Sequence, residues 1–333
     1  MMRYSGIGHD RPLLEVEKLS VSFRTSSAPL RVVNDLNFAV AEAEVFGLVG
    51  ESGCGKSLTA LAIMGLLPDM AYAEGRVNFK GKDLLTLDRE SMRRLRGKEM
   101  SMIFQEPMTS LNPVLTIGYQ ISEVITTHID LSRREALDKA VELLRTVKIP
   151  SPEIRIKEYP HQLSGGMRQR VMIAIAIACG PSLIIADEPT TALDVTIQSQ
   201  ILRLLQGLRK ERKMSLLLIT HDLGIISENA ERVAIMYAGR LMELTDAEEI
   251  FSNPRNPYTR GLLESLPREK DVSLKPIPGF VPRPEALPSG CKFSDRCRFV
   301  IPECRREDPE LEPISEGHLV RCIRAKDLPP WNY

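Results

Sequence analysis

The chain has 333 residues, of which 43% are hydrophobic and 26% charged, a composition typical of a soluble globular protein longer than one average domain. Its 44 lysines and arginines balance 44 aspartates and glutamates, which removes the electrostatic argument for nucleic acid or anionic membrane as main partner. The longest apolar run, Val171 to Cys179, has nine residues, far below the roughly 20 that span a bilayer. Residues 1–12 lack an apolar core, so we expect no secretory signal and a cytoplasmic protein.

The N-terminal part of the chain alternates strands with one helix, as α/β domains do. Residues 14–16 and 19–23 alternate in polarity, and residues 45–49 form a short apolar run that leads into glycines. Residues 57–67 predict a helix ended by a proline, and residues 75–79 return to strand character. A strand therefore leads directly into a glycine-rich loop and a helix.

A helical insert is predicted between about residues 88 and 178. Its clearest helix spans Ser132 to Val147, where Ser132 and Glu135 fit a capping box. The predicted apolar face of this helix comprises Leu137, Ala140, Val141, Leu144 and Val147. Two apolar strands follow the insert, at residues 183–187 and 216–220.

The composition changes after about residue 253. More than half of the 23 prolines and four of the six cysteines lie beyond that point. We therefore predict a first domain at residues 1–253 and a proline- and cysteine-rich C-terminal extension at residues 254–333.

A phosphate-binding loop is predicted where the strand at 45–49 meets the following helix. The pattern GxxxxGK[ST] is matched by Gly50, Glu51, Ser52, Gly53, Cys54, Gly55, Lys56 and Ser57. Glycines let backbone amides approach phosphates, and the helix start adds a positive dipole. Lys56 would neutralise the β- and γ-phosphate oxygens, and the Ser57 hydroxyl would ligate Mg²⁺. Cys54 is interpreted as a tolerated small side chain, not a redox switch.

Two adjacent carboxylates, Asp187 and Glu188, follow the strand at 183–187. Ligands bind at the carboxyl ends of strands in α/β folds, and neighbouring strand residues point in opposite directions. Asp187 is therefore predicted to hold the Mg²⁺ and Glu188 to polarise the attacking water. Without Lys56 upstream, the pair would be interpreted as the start of a turn.

Gln105 and His221 each follow an apolar strand. Either one alone would be interpreted as a polar strand end. Together with the phosphate loop, the pattern favours a metal- and water-sensing role for Gln105 and a γ-phosphate contact for His221.

Six ordered motifs resemble those of an ABC transporter nucleotide-binding subunit, over roughly residues 13–250. They are the loop at 50–57, Gln105, the sequence LSGGMRQR at 163–170, the segment 183–188, Ala192-Leu193-Asp194 and His221. The resemblance implies an α/β fold: a P-loop ATPase core with a mixed sheet, an antiparallel β subdomain and a helical insert. It also implies ATP and Mg²⁺ as cofactors.

The family further implies a head-to-tail dimer with a second ABC ATPase subunit, identical or related, and two ATP molecules at the interface. Ser164, Gly165 and Gly166 would contact the γ-phosphate bound by the partner's loop, and Asp194 would link the two sites. The apolar run after the signature would be the buried continuation of its helix. Phe23 matches the position of the aromatic residue that stacks on adenine, but its alternation with Leu19 and Val21 fits a core role equally.

A narrower resemblance to dipeptide, oligopeptide and nickel importers rests on residues 107–113, 159–162 and 256–259. Glu106 stands where aspartate is usual, and Asn256 where histidine is usual. The subfamily implies two transmembrane permease subunits and, indirectly, an extracytoplasmic solute-binding protein. The chain would be peripheral on the cytoplasmic face of the inner or plasma membrane, with no nucleic-acid partner.

The extension carries Cys291, Cys297, Cys304 and Cys322, separated by five, six and seventeen residues. This is not a standard zinc spacing, yet clustered thiols in a reducing compartment favour a metal over disulfides. The subfamily's similar motif is associated with a [4Fe–4S] cluster, which takes four thiolates. Unligated structural thiols are the alternative.

The sequence therefore favours an ATPase subunit that powers import of di- or oligopeptides. Alternatives are an importer ATPase for nickel or another small solute, a soluble ABC ATPase of DNA repair or translation, and a redox-sensing regulator. Only 107 positions separate Ser57 from Ser164, too few for the long coiled coil of repair proteins, and the chain has one cassette where translation proteins have two.

Overall fold

The computed structural model describes residues 12–26, 28–191, 193–266 and 276–331, without the side chains of Pro107 and Met108. The chain folds into two compact units. One comprises the residues up to Thr86 together with those from Ile219 onward, and the other comprises Leu87–Leu218. Among the described residues, no helix is both long and apolar enough to cross a bilayer.

The described residues contain twelve strands and eleven α-helices. The strands are β1 Leu14–Phe23, β2 Leu30–Val40, β3 Val45–Val49, β4 Ala71–Phe79, β5 Lys82–Asp83, β6 Met100–Ile103, β7 Leu183–Asp187, β8 Ser215–Thr220, β9 Arg232–Tyr237, β10 Arg240–Asp246, β11 Glu312–Ser315 and β12 His318–Val320. The helices are α1 Lys56–Met64, α2 Arg89–Leu95, α3 Pro107–Ser110, α4 Ile117–His128, α5 Arg133–Thr146, α6 Pro152–Arg155, α7 Gly165–Ala176, α8 Val195–Arg212, α9 Leu223–Asn229, α10 Ala247–Ser252 and α11 Pro257–Glu264.

The first unit contains an antiparallel sheet with the strand order β2-β1-β4-β5. Strand β1 pairs on both edges and is irregular at Lys18, whose φ is 50°. Gly75 on β4 faces this irregularity with a φ of 103°, and a Cβ there would lie 2.4 Å from the Lys18 carbonyl oxygen. The glycine therefore lets two strands approach at the irregular position. This sheet confirms the predicted antiparallel β subdomain.

The second sheet of this unit is mixed, as predicted. Its strands follow the order β11-β12-β10-β9-β3. Strand β3 runs parallel to β9, while β9 and β10 form an antiparallel pair that β12 extends. The apolar strands β3 and β9 are buried along their whole length, as expected for strands with both faces covered.

The C-terminal residues belong to the same compact unit as the phosphate loop. The fully buried Glu243 on β10 accepts hydrogen bonds from the backbone amides of Arg255 and Asn256, and it contacts Nε2 of His318 at 2.7 Å. The Asn256 side chain donates to the Met242 and Arg321 carbonyls, each at 3.0 Å. The proposed domain boundary at residue 253 stays a prediction.

In the second unit, β6 and β7 are parallel and β8 lies on the other side of β7. The predicted helical insert therefore includes the strand β6 as well as helices. The capping box of α5 forms as expected between Ser132 and Glu135. The predicted apolar face of α5 is wrong at Leu137, which is 43% exposed, because the buried side of the helix is turned toward Ala136 and Leu143.

Two predicted element bounds are also wrong. Helix α1 ends at Met64, three residues before the predicted end, because Gly65 adopts a left-handed conformation with φ 62° and caps the helix. Strand β4 begins at Ala71 and not at Gly75. The apolar run after the signature is buried as expected in α7 and the turn that follows it.

Candidate functional site

The phosphate loop joins β3 to α1, in the strand–loop–helix context that the motif requires. Gly53 and Gly55 have φ values of 80° and 106°, which favour glycine. Gly50 passes so close to β9 that a Cβ on it would lie 2.1 Å from the Met236 carbonyl oxygen. The glycines therefore serve both the turn and the close approach to a neighbouring strand.

Lys56 is 5% exposed and folds back over the loop. Its Nζ donates hydrogen bonds to the carbonyl oxygens of Gly50, at 2.6 Å, and Glu51, at 3.1 Å. The first amides of a helix lack partners within the helix and carry positive dipole, so the start of α1 favours an anion. Phosphate oxygens could replace these carbonyls as acceptors for Lys56. Ser57 is partly exposed at the same helix start.

Cys54 is 1% exposed. Burial raises the pKa of its thiol, although the charge of Lys56 opposes that shift. A buried neutral thiol is a weak nucleophile. These properties support the interpretation of Cys54 as a small packed side chain.

Glu51 is held by residues from the C-terminal part of the same unit. Its carboxylate accepts two hydrogen bonds from Arg296, at 2.8 Å and 3.0 Å, and its backbone amide donates to the Tyr258 hydroxyl at 3.1 Å. Neither partner was predicted from the sequence. Tyr258 lies in the segment 256–259, which carries only the subfamily resemblance, and Arg296 is 245 positions from Glu51, with no local pattern to mark it.

The acidic pair lies at the end of β7 in the second unit. Asp187 is buried at 4% exposure, whereas Glu188 is partly exposed. The carboxylate of Glu188 accepts hydrogen bonds from Thr191 Oγ1 at 2.8 Å and Gln105 Nε2 at 3.1 Å. The structure therefore brings Gln105 and Glu188 together beyond the ends of β6 and β7.

The predicted reason for the different orientations of the two carboxylates is wrong. Strand β7 ends at Asp187, so strand alternation does not extend to Glu188. Glu188 instead has a φ of 45°, a left-handed conformation that is uncommon for a residue with a side chain. Strain of this kind is concentrated at functional sites.

Ser164 caps α7, and its hydroxyl oxygen accepts a hydrogen bond from the Met167 amide at 3.3 Å. Gly165 and Gly166 form the first turn, where a Cβ on Gly166 would lie 2.9 Å from the Ile197 side chain. The three signature residues thus meet at one helix start, as predicted. Asp194 caps α8 through the Ile197 amide at 3.0 Å. Ala192 of the same motif lies outside the described residues.

Phe23 and His221 both lie at strand ends. Phe23 is the last residue of β1 and is partly exposed, unlike the fully buried Leu19 and Val21. His221 follows β8 and is exposed. Exposure leaves both rings accessible to a ligand.

The four clustered cysteines line one cavity of the first unit, and their thiols form no disulfide. Burial, together with the neighbouring thiol groups, raises the pKa of Cys291 to about 11 and that of Cys322 to about 12. In the part of the chain that the structure describes, no group of three or more His, Cys, Asp or Glu side chains could hold a single metal ion. The cysteines are therefore neighbours that do not form a coordination site for one ion.

Two family models match the chain. The ABC transporter model covers residues 33–191, and the model of the oligopeptide/dipeptide transporter C-terminal region covers residues 242–304. The second match includes Tyr258, Arg296 and three of the clustered cysteines.

Curated relatives match nearly the whole chain. A Brucella abortus protein named for peptide import and ATP binding is 50% identical over 96% of this chain and 98% of its own. The dipeptide transport ATP-binding protein DppD of Haemophilus influenzae is also 50% identical, over 93% of this chain and 94% of its own. Among solved structures, a dimeric ATP-binding cassette in a post-hydrolysis state with ADP and Pi has a TM-score of 0.63 and 26% identity, over 70% of this chain and 98% of its own.

The close approach of Gly50 to β9 predicts the effect of Gly50→Ala. The added methyl group would lie 2.1 Å from the Met236 carbonyl, so the phosphate loop must shift. We expect the affinity for MgATP, measured by isothermal titration calorimetry, to fall roughly tenfold or more. Gly207→Ala is the control, because no atom lies within 4 Å of a Cβ at that helical position. Unchanged affinity in Gly50→Ala would contradict the assigned loop geometry.

Proposed function

Because the chain belongs to the ABC transporter family, we propose that it hydrolyses ATP to drive the import of di- or oligopeptides. Peptides are proposed as the solute because residues 242–304 match the C-terminal region of oligopeptide and dipeptide transporters. That region lies in the same compact unit as the phosphate loop. Relatives named for peptide import and dipeptide transport, at about 50% identity over nearly the full length, support the same class.

Each cassette works with partners. We propose a dimer with a second cassette, identical or related, which the dimeric solved cassette supports. Two permease subunits would form the path across the membrane, and a solute-binding protein outside would deliver the peptide. The chain would then be peripheral on the cytoplasmic face of the membrane.

The proposed ATP contacts begin with Lys56. The Lys56 ammonium would then donate to β- and γ-phosphate oxygens of ATP in place of the Gly50 and Glu51 carbonyls. Ser57 and Asp187 are the proposed residues that would hold Mg²⁺, with Gln105 sensing it, and the ion would supply positive charge to the phosphates. Phe23 is proposed to stack on adenine, a role supported by its partial exposure.

Hydrolysis needs a base and a γ-phosphate contact. Glu188 is the proposed base, and its hydrogen bonds from Thr191 and Gln105 orient the carboxylate before water attacks. His221 is proposed to contact the γ-phosphate. The helix start at Ser164, Gly165 and Gly166 offers amides and positive dipole to the nucleotide of the partner cassette, and Asp194 links the two sites.

The assigned base predicts that Glu188→Gln binds ATP but hydrolyses it roughly 100-fold more slowly or worse, because an amide does not accept a proton from water. Radiolabelled ATP retention and phosphate release measure the two steps separately. Glu211→Gln, on the exposed side of α8, is the matched control and should hydrolyse ATP at the wild-type rate. Full hydrolysis by Glu188→Gln would refute the assignment.

The four clustered cysteines are proposed to hold a [4Fe–4S] cluster that braces the extension. Four thiols around one cavity match the donor set of such a cluster, which spreads its ligands over four irons and needs no shared single-ion site. In the cluster the cysteines would bind iron as thiolates, whereas without it burial keeps the thiols protonated.

We expect anaerobically purified protein to contain about four irons and four sulfides per chain, measured by elemental analysis and visible absorption. Cys322→Ser should lose most of this iron. Cys179→Ser should retain it, since Cys179 lies outside the cavity. Stoichiometric zinc in place of iron, or no bound metal, would exclude the cluster.

The transport assignment predicts that the tagged chain, isolated from detergent-solubilised membranes, co-purifies with two transmembrane subunits and a cassette. Mass spectrometry identifies these partners, and the solute-binding protein encoded with them can be tested for peptides or nickel. Recovery of no membrane subunit would favour a soluble ATPase, and selective nickel binding would favour the metal importer.

A further inference from the structure

Glu51 presents an electrostatic problem. It lies inside a loop whose amides and lysine are arranged for a polyanion, and its carboxylate adds a negative charge there. A like charge within several ångströms of a phosphate costs binding free energy, and the cost grows as water is excluded. Something must compensate this charge.

Arg296 supplies the compensation. Its guanidinium donates two hydrogen bonds to Glu51, at 2.8 Å and 3.0 Å. Each terminal nitrogen of the guanidinium donates to a different carboxylate oxygen, which is the bidentate geometry of a strong pair. The Arg296 side chain is 7% exposed, compared with 29% for Glu51. A guanidinium does not lose its proton at physiological pH. The arginine therefore remains charged.

The position of Arg296 is fixed by the cysteine-rich extension. It ends a short 3₁₀ turn, Ser294–Arg296, between Cys291 and Cys297, and its Nε donates to the Pro278 carbonyl at 2.8 Å. The guanidinium also lies 5.6 Å from the ring centre of Tyr237 and 5.9 Å from that of Phe293. These contacts hold the guanidinium in one orientation toward the phosphate loop.

Tyr258 makes a second contact with Glu51. Tyr258 is fully buried, packs against Tyr237 and Phe293 at 4.7 Å and 5.2 Å between ring centres, and accepts the hydrogen bond from the Glu51 amide. The extension thus holds Glu51 by its backbone as well as by its side chain. Exposed ion pairs contribute little, but this bidentate pair has a buried arginine with fixed partners, so loss of the arginine should leave the Glu51 charge uncompensated.

We propose that Arg296 of the extension is a positioning residue for nucleotide binding. It neutralises Glu51 and holds that carboxylate away from the phosphates, so the extension sets the ATP affinity of the loop. This proposal rests on the ATP binding assigned above to residues 50–57, and it is independent of which solute is imported.

The test is a charge series on the full-length chain, with MgATP, MgADP and adenosine titrated by isothermal calorimetry. Arg296→Gln leaves one uncompensated negative charge, so its Kd for MgATP should rise roughly tenfold, less for MgADP and not at all for adenosine. The rise should shrink in high salt. Glu51→Gln removes the repulsive charge, so in that background Arg296→Gln should no longer raise the Kd for MgATP. The double variant should bind MgATP more tightly than Arg296→Gln.

Arg298→Gln is the matched control, because Arg298 lies two positions after Arg296 and pairs with Glu264, which is not a residue of the phosphate loop. It should leave the Kd for MgATP unchanged. Thermal unfolding identifies a variant that fails to fold; if Arg296→Gln does, the double variant is compared with Glu51→Gln, and the two should bind MgATP equally. Equal MgATP affinity in wild type and folded Arg296→Gln, or a double variant that binds MgATP no more tightly than Arg296→Gln, overturns the proposal. If wild type itself binds no ATP, the proposed function fails instead.

Discussion

A phosphate-binding loop has to keep backbone amides and one lysine available for its ligand, so other parts of its unit must maintain its shape. In this chain three kinds of contact do so. The Gly50 backbone lies against β9, the Cys54 carbonyl accepts a hydrogen bond from the Gly239 amide at 2.9 Å, and Arg296 with Tyr258 holds Glu51. The position of α1, and with it the helix dipole that favours phosphate, depends on these contacts.

Residues with a proposed role in the ATPase cycle also perform an ordinary structural task. Ser164 and Asp194 cap α7 and α8, and a serine or aspartate at such a position stabilises a helix by about 1 kcal/mol whatever its function. The Glu188 carboxylate is anchored by Thr191 within its own turn. Each of these side chains could occupy its position for structural reasons alone. A pattern around one residue is therefore weak evidence for its function, and the family resemblance depends on six motifs in order.

Local signals made much of the fold and site predictable. The apolar strands β3, β7 and β8, the capping box of Ser132 and the helix start at the signature all depend on neighbours in sequence, and the structure contains them. The predictions were wrong where contacts between residues distant in sequence determine the structure. The buried face of α5 excludes Leu137, and the left-handed conformation of Glu188 replaces the expected strand alternation. The Arg296–Glu51 pair joins residues 245 positions apart, a separation at which no periodicity operates.

If the proposed function is correct, ATP hydrolysis by this chain drives peptide uptake. The most direct measurement is accumulation of a radiolabelled dipeptide in liposomes that contain the purified transporter, with the solute-binding protein outside and nucleotide inside. We expect accumulation above the external concentration with MgATP and none with MgADP. Equal uptake with either nucleotide, or ATP-driven accumulation of another solute while peptides are excluded, would contradict it.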